Sequence, residues 1–193
     1  MRAMLCTFFA LGALGAPLAA QTQSPVQISV GPQVGAYVPV GDQRDELSDA
    51  VAVGAIARVD LGKWVGIVGN FWWSPSDATI ASVSSRTETL DLFQYDLGLE
   101  VRPFASVGDD WVFSPFLAAG AGGRSLSFRD LNLDAQTDLS GFAAVGGEFG
   151  FDKVAVRLEA RGYLIDFNGY KGTLPESVTR GDLTFQAGLM FRF

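Results

Sequence analysis

The stretch Asp182–Phe193 reads D-L-T-F-Q-A-G-L-M-F-R-F. Leu183, Phe185, Ala187, Leu189, Phe191 and Phe193 take every second position, with Thr184, Gln186, Gly188 and Arg192 between them and Met190 as the one apolar exception. A period of two sends these sets to opposite faces of a β-strand. The chain thus closes on an amphipathic strand with an aromatic at its last position.

The other end has a different grammar. Met1-Arg2 is a short positive start, an apolar stretch runs from Met4 to Leu14, and Leu18-Ala19-Ala20 supplies small residues before polar Gln21. This order predicts a secretory signal peptide over residues 1–20, cut after Ala20. The apolar stretch falls short of the ~20 residues a spanning helix needs. Cys6, the only cysteine, lies inside it, so the mature domain 21–193 has no disulfide and no thiol nucleophile.

Between the ends, period-two segments predict eight strands near Ile28–Val38, Val51–Leu61, Trp64–Trp73, Glu88–Arg102, Trp111–Phe128, Leu139–Phe151, Lys153–Phe167 and Asp182–Phe193. Connections alternate. Pro39–Ala50, Ser74–Thr87, Arg129–Asp138 and Asn168–Gly181 are long and polar, whereas Gly62-Lys63 and the turn at Asp152 are short and Pro103–Asp110 is intermediate. An even strand count returns both termini to one side.

Facing distinguishes two architectures. In the seventh strand Lys153, Arg157, Glu159, Arg161 and Tyr163 oppose Val154, Val156, Leu158, Ala160 and Leu164; in the fourth, Gln94, Asp96, Glu100 and Arg102 oppose Tyr95, Leu97, Leu99 and Val101. Apolar faces turned inward would give a secreted sandwich or lipocalin-like barrel. Apolar faces turned outward to lipid give an all-β, eight-stranded antiparallel up-and-down transmembrane barrel, its backbone groups paired by closure. The signal peptide, the terminal Phe and the long/short rhythm favour the second. Trp64, Phe104, Trp111, Phe151 and Phe193 would then form an aromatic belt at one interface and Trp72, Trp73, Phe128 and Phe167 one at the other.

The whole mature chain resembles the small eight-stranded bacterial outer-membrane barrels of the OmpA/OmpX type. Arg157-Leu158-Glu159-Ala160-Arg161 is similar to their penultimate-strand signature, and Phe191 and Phe193 match their C-terminal pattern. The resemblance implies residence in the bacterial outer membrane, contact with its lipid, and reading of Phe191 and Phe193 by the barrel-assembly machinery. It implies the form without a periplasmic peptidoglycan-binding domain.

Chemistry is restricted by what the sequence omits. It contains no histidine, which excludes a Ser–His–Asp triad and, with cysteine confined to the leader, a His- or Cys-ligated zinc site. Enzymes on small barrels of this resemblance use His as base or acid, so no enzyme activity and no cofactor are expected. A net charge of −7 argues against nucleic acid as a partner. Gly120–Ser125 has a phosphate-loop look but lacks the Lys and the spacing, and reads as glycine easing sheet curvature.

The candidate site is the set of inward charges: Arg58, Arg102, Arg124, Arg157, Arg161 and Arg192 against Asp96, Glu100, Glu148 and Glu159. An eight-stranded barrel is just wide enough for side chains to fill, so these residues are expected to form a structural ion network. A narrow ion path or polar ligand site is the alternative. Loop acids Asp42, Asp45, Glu46, Asp49, Asp77, Asp130, Asp134 and Asp138 are open to divalent cations but are expected to be solvated. The expected role is structural or interactive, through four outward loops toward an unspecified surface partner. A small pore or transporter is the second reading, given room along the Gly/Ala-rich fifth and sixth strands.

Overall fold

The computed structural model describes residues 26–78, 88–104, 106–107, 112–129, 135–151, 153–167 and 178–193. The signal peptide, Trp111, Asp130 and Asp134 lie outside them. The strands are β1 (Gln27–Val40), β2 (Ala50–Asp60), β3 (Val65–Ala78), β4 (Glu88–Val101), β5 (Ser106–Val107), β6 (Val112–Phe128), β7 (Gln136–Phe151), β8 (Val154–Phe167) and β9 (Val178–Arg192). Every pairing is antiparallel, sequential neighbours pair except β4 and β5, and β1 closes onto β9. β4 pairs β6 from Leu90↔Phe128 to Val101↔Leu117. The two-residue β5 only extends the start of β6, within the intermediate connection. The barrel therefore has eight staves in up-and-down order, and the last strand is sealed by the Phe193 N–H donating to the Ile28 carbonyl at 2.9 Å.

The outer wall carries Val34, Ile67, Leu97, Leu99, Leu117, Val145, Leu158, Phe185 and Leu189, all exposed, while the charged faces point into the lumen. This inside-out distribution is what lipid demands: apolar side chains outward and no unpaired backbone edge. Strands of 14–17 residues in β3, β4 and β6 exceed the ~9–11 residues a tilted strand needs to cross hydrocarbon.

The excess lies at the long-loop end, and there the alternation reverses phase. In β4, Glu100, Asp96 and Gln94 are buried and Leu97 and Leu99 exposed; two residues further out, Leu92 and Leu90 are buried and Asp91 faces outward. β6 makes the same switch, from buried Arg124 to buried Leu126 and Phe128, with Ser125, Ser127 and Arg129 outside. The barrel wall thus continues past the membrane as a water-facing cylinder with an apolar filling.

This switch corrects part of the belt expectation. Trp64, Phe104, Phe151 and Phe193 are exposed at the short-turn end. At the other end only Trp73 of the expected four is on the outer wall. Trp72 is 1% exposed, and Phe128 and Phe167 are buried too. Trp72 shares strand parity with buried Val68 and Asn70, and of two adjacent residues on a strand only one can face out. Phe128 and Phe167 follow the parity of Arg124 and Arg161 and fill the upper lumen with Leu47, Leu90, Leu92 and Ile165.

The first long connection turns inward. A 3-10 helix spans Gly41–Asp45, entered through Gly41 at φ +67°. It places Gln43 and Leu47 in the mouth of the barrel, both buried. The Ser48 N–H donates to the Asp77 carbonyl at 3.0 Å and Ser76 Oγ donates to the Ser48 carbonyl at 2.8 Å, fastening the segment to β3.

Candidate functional site

All ten charged residues expected in the lumen lie there, and nearly all touch one another. At the short-turn end Glu148 of β7 is the centre. Its carboxylate meets Arg58 of β2, Arg102 at 2.7 Å, Arg157 of β8 at 3.0 Å and Arg192 of β9 at 3.5 Å. Glu100 lies 2.8 Å from Arg102 and 2.7 Å from Arg157. Arg157 also meets Glu159 at 2.6 Å, Glu159 meets Arg161 at 2.5 Å, and Arg161 meets Asp96 at 2.9 Å. Asp60 takes Arg58 from below at 2.9 Å. Register sets this up: Glu148 pairs with Arg157, Gly146 with Glu159 and Ala144 with Arg161 across β7–β8.

A second storey follows. Asp96 accepts from Asn70 at 3.2 Å, Tyr163 at 2.9 Å and Gln94 at 2.6 Å, and Asn70 accepts from Gln33. Tyr163 in turn accepts from Trp72 Nε1 at 3.0 Å. Above it Arg124 donates to Gln94 at 3.1 Å and pairs with Asp182, while the rings of Tyr37, Trp72 and Tyr163 surround its guanidinium at 5.6–5.9 Å. Tyr37 donates to Asp182 at 3.0 Å and accepts from Gln43 of the inward segment at 2.9 Å. Hydrogen bonds and ion pairs therefore run without a break from Gln43 at the outer mouth to Arg192 at the inner end.

Two carboxylates in this set escape a reading by loops. Asp182 begins the quoted terminal stretch, and its parity with Thr184 and Gln186 already turns it inward. Asp138 is buried, not a solvated loop acid, because β7 begins at Gln136 and Asp138 pairs with Arg124 in the β6–β7 register. With these two, six arginines (58, 102, 124, 157, 161, 192) face six buried carboxylates (Asp96, Glu100, Asp138, Glu148, Glu159, Asp182) among the described residues. Charges taken out of water need partners of opposite sign and filled hydrogen-bond positions, and here each of these arginines has a carboxylate partner, with Asp60 on Arg58 as a seventh, less buried acid. The remaining loop acids do not converge: Glu46 pairs with Arg180 at 2.8 Å and Asp49 with Arg44 at 3.4 Å. No cluster of three or more His, Cys, Asp or Glu side chains suited to a metal occurs among the described residues.

The Gly/Ala-rich fifth and sixth staves, β6 and β7, leave room that aromatic rings occupy. A Cβ on Gly120 would fall 2.8 Å from the Phe142 ring, and one on Gly146 would fall 2.4 Å from Phe116. Arg161 stacks on Phe142 at 4.2 Å and Arg157 on Phe116 at 3.6 Å. Each glycine thus admits the ring on which an arginine of the network rests.

A closed barrel with an apolar exterior and a charged interior defines a membrane-spanning β-barrel of the bacterial outer membrane. The chain belongs to the outer membrane protein beta-barrel domain family, whose model matches residues 6–193. Among solved structures it is similar to Neisserial surface protein A, NspA (11% identity, TM-score 0.59, covering 86% of this chain and 97% of that one). It is also similar to the outer membrane protein OprG from Pseudomonas aeruginosa (11% identity, TM-score 0.60, covering 87% and 96%). At that identity the likeness is one of fold. No curated protein matches the chain.

Proposed function

We propose that this is a non-enzymatic outer-membrane barrel with a structural or surface-interaction role exercised through its loops. The observation that carries the reading is the lumen: opposite charges bonded to one another from mouth to base, with rings in the spaces the glycines leave. A conducting path needs water-filled or weakly held positions along its length, whereas these side chains hold one another. The absence of histidine from the sequence supports a non-catalytic role. In this reading the exposed apolar wall meets outer-membrane lipid, and Phe191 on the outer wall of β9 and Phe193 just past its end, both exposed, serve as the signal for the assembly machinery.

The test is single-channel recording on the purified, refolded full-length mature chain in planar bilayers. Silence at high protein load is the expected result. Reproducible step conductances in the wild type that disappear on boiling would favour the pore reading instead. For the loop role, the four long connections are replaced by short turns. The expected result is a barrel that still assembles but no longer supports envelope integrity or binding to host or neighbouring cell surfaces.

A further inference from the structure

We propose that the outer mouth of the barrel contains a one-water binding site, closed over by the Gly41–Asp45 segment and built from Gln43, Arg124 and Asp138. Beneath that segment lies a cavity lined by Gln43, Leu47, Arg124, Asp138 and Phe167, among others. Its volume is about 10 Å³. That is about the least a single water requires and too little for two.

The polar atoms have the matching valence. Gln43 Oε1 and Arg124 Nη2 are buried, and neither has a hydrogen-bond partner among the described residues. One is an acceptor and the other a donor. The orientation of the Gln43 amide follows from its neighbour. Tyr37 has one hydroxyl proton and gives it to Asp182, so it can only accept from Gln43. The Gln43 NH2 group is therefore committed to Tyr37, and Oε1 is the end left over. On Arg124, Nε and Nη1 are taken by Gln94 and Asp182, which leaves Nη2. A water accepting from Arg124 Nη2 and donating to Gln43 Oε1 satisfies both, and its second proton has the Asp138 carboxylate as acceptor. Three partners is the usual number for a buried water. Leaving two buried polar groups without partners is costly.

The experiment compares wild type with Gln43→Met, which keeps the length and apolar stem of the side chain but removes both the acceptor and the donor to Tyr37. Both are refolded into detergent micelles as mature full-length chains and checked for the heat-shifted gel band. Oxygen-17 relaxation dispersion counts long-lived waters, and water–protein cross-relaxation spectra read the Gln43 side-chain amide directly. The expected result is one long-lived water fewer in the variant, together with a water cross-peak at the Gln43 amide in the wild type. An unchanged count, or a wild-type Gln43 amide with no water cross-peak, overturns the proposal. If Gln43→Met does not fold, the wild-type cross-peak alone decides.

Discussion

Glu148 and Arg157 stand opposite each other in the β7–β8 register, with 3.0 Å between Arg157 Nη1 and Glu148 Oε1. The same carboxylate is shared with Arg58, Arg102 and Arg192. Removing its charge takes one carboxylate from four guanidinium groups at once, leaving Arg58 to Asp60, Arg102 to Glu100 and Arg157 to Glu100 and Glu159. Breaking a buried pair from one side costs about 3–5 kcal/mol, so Glu148→Gln is expected to lower stability by about that amount. Asp91→Asn, which breaks the half-exposed outer-wall pair with Arg129, is expected to cost no more than about 1 kcal/mol. Urea unfolding in detergent, followed by tryptophan fluorescence, compares the two; equal midpoints would sink the claim that the lumen network is a stability element.

The inward segment is held by Leu47 in the mouth and by the Glu46–Arg180 pair, and Arg44 beside them is exposed. Leu47→Asp places a charge among Leu126, Phe128 and Phe167. The expected outcome is release of the segment, with trypsin cutting after Arg44 at least tenfold faster while the barrel keeps its heat-shifted mobility. A cleavage rate equal to wild type would mean the segment is not seated by Leu47.

Gly146 and Gly141 offer a paired test on one strand. A Cβ at Gly146 meets the Phe116 ring at 2.4 Å and the Leu158 carbonyl at 2.3 Å, whereas one at Gly141 has nothing closer than 3.9 Å. Gly146→Ala is expected to destabilise by about 1–3 kcal/mol, the usual range for forced overpacking. Gly141→Ala is expected to be neutral or slightly stabilising through the unfolded chain. Refolding yield and thermal midpoint in detergent report both.

Trp72 is inside and Trp73 outside. In a chain whose other tryptophans are changed to Phe, Trp72 is expected to resist quenching by brominated lipid and by acrylamide alike, because its indole N–H is bound to Tyr163 in the lumen. Strong quenching by brominated lipid would place it back in an aromatic belt.

Phe193 faces outward at the seam between β1 and β9, and its N–H is already engaged with Ile28. Phe193→Ala is expected to leave refolding in detergent near wild type, since the backbone pairing survives. Assembly into the outer membrane of living cells is expected to fall several-fold, because the proposed assembly signal includes that side chain. Equal losses in both assays would make Phe193 a packing residue and not a signal.

Strand number, order and facing were legible because a period of two survives in nearly every segment, and charge on one face left little choice about which face met lipid. The ten lumen charges followed from that parity. Three things were not legible. Asp138 sits where a polar loop passes into β7, and composition does not mark the junction. The facing of the aromatics near the outer end was misjudged because Phe128 and Phe167 lie beyond the point where the alternation changes phase and Trp72 shares the parity of buried Val68 and Asn70; a belt rule applied to position along the strand ignores parity. The inward turn of Gly41–Leu47 depends on Gln43 meeting Tyr37 and on Leu47 bridging to Ala78 and lining one cavity with Leu126 and Phe167, the latter two far away in sequence.

The phase reversal near Leu92 in β4 and Arg124 in β6 acts as a waterline. Sliding the barrel inward along the membrane normal by a few residues, at about 3.4 Å each, would carry Asp91 and Arg129 into hydrocarbon. An arginine on the lipid face costs from about 0–1 kcal/mol near the interface to about 2–4 kcal/mol at the midplane, and an acid costs less. Sliding it outward would lift Leu97 and Leu139 into water. The immersion depth is therefore fixed from both directions, and the loops ride on a rigid collar held at constant height above the outer leaflet.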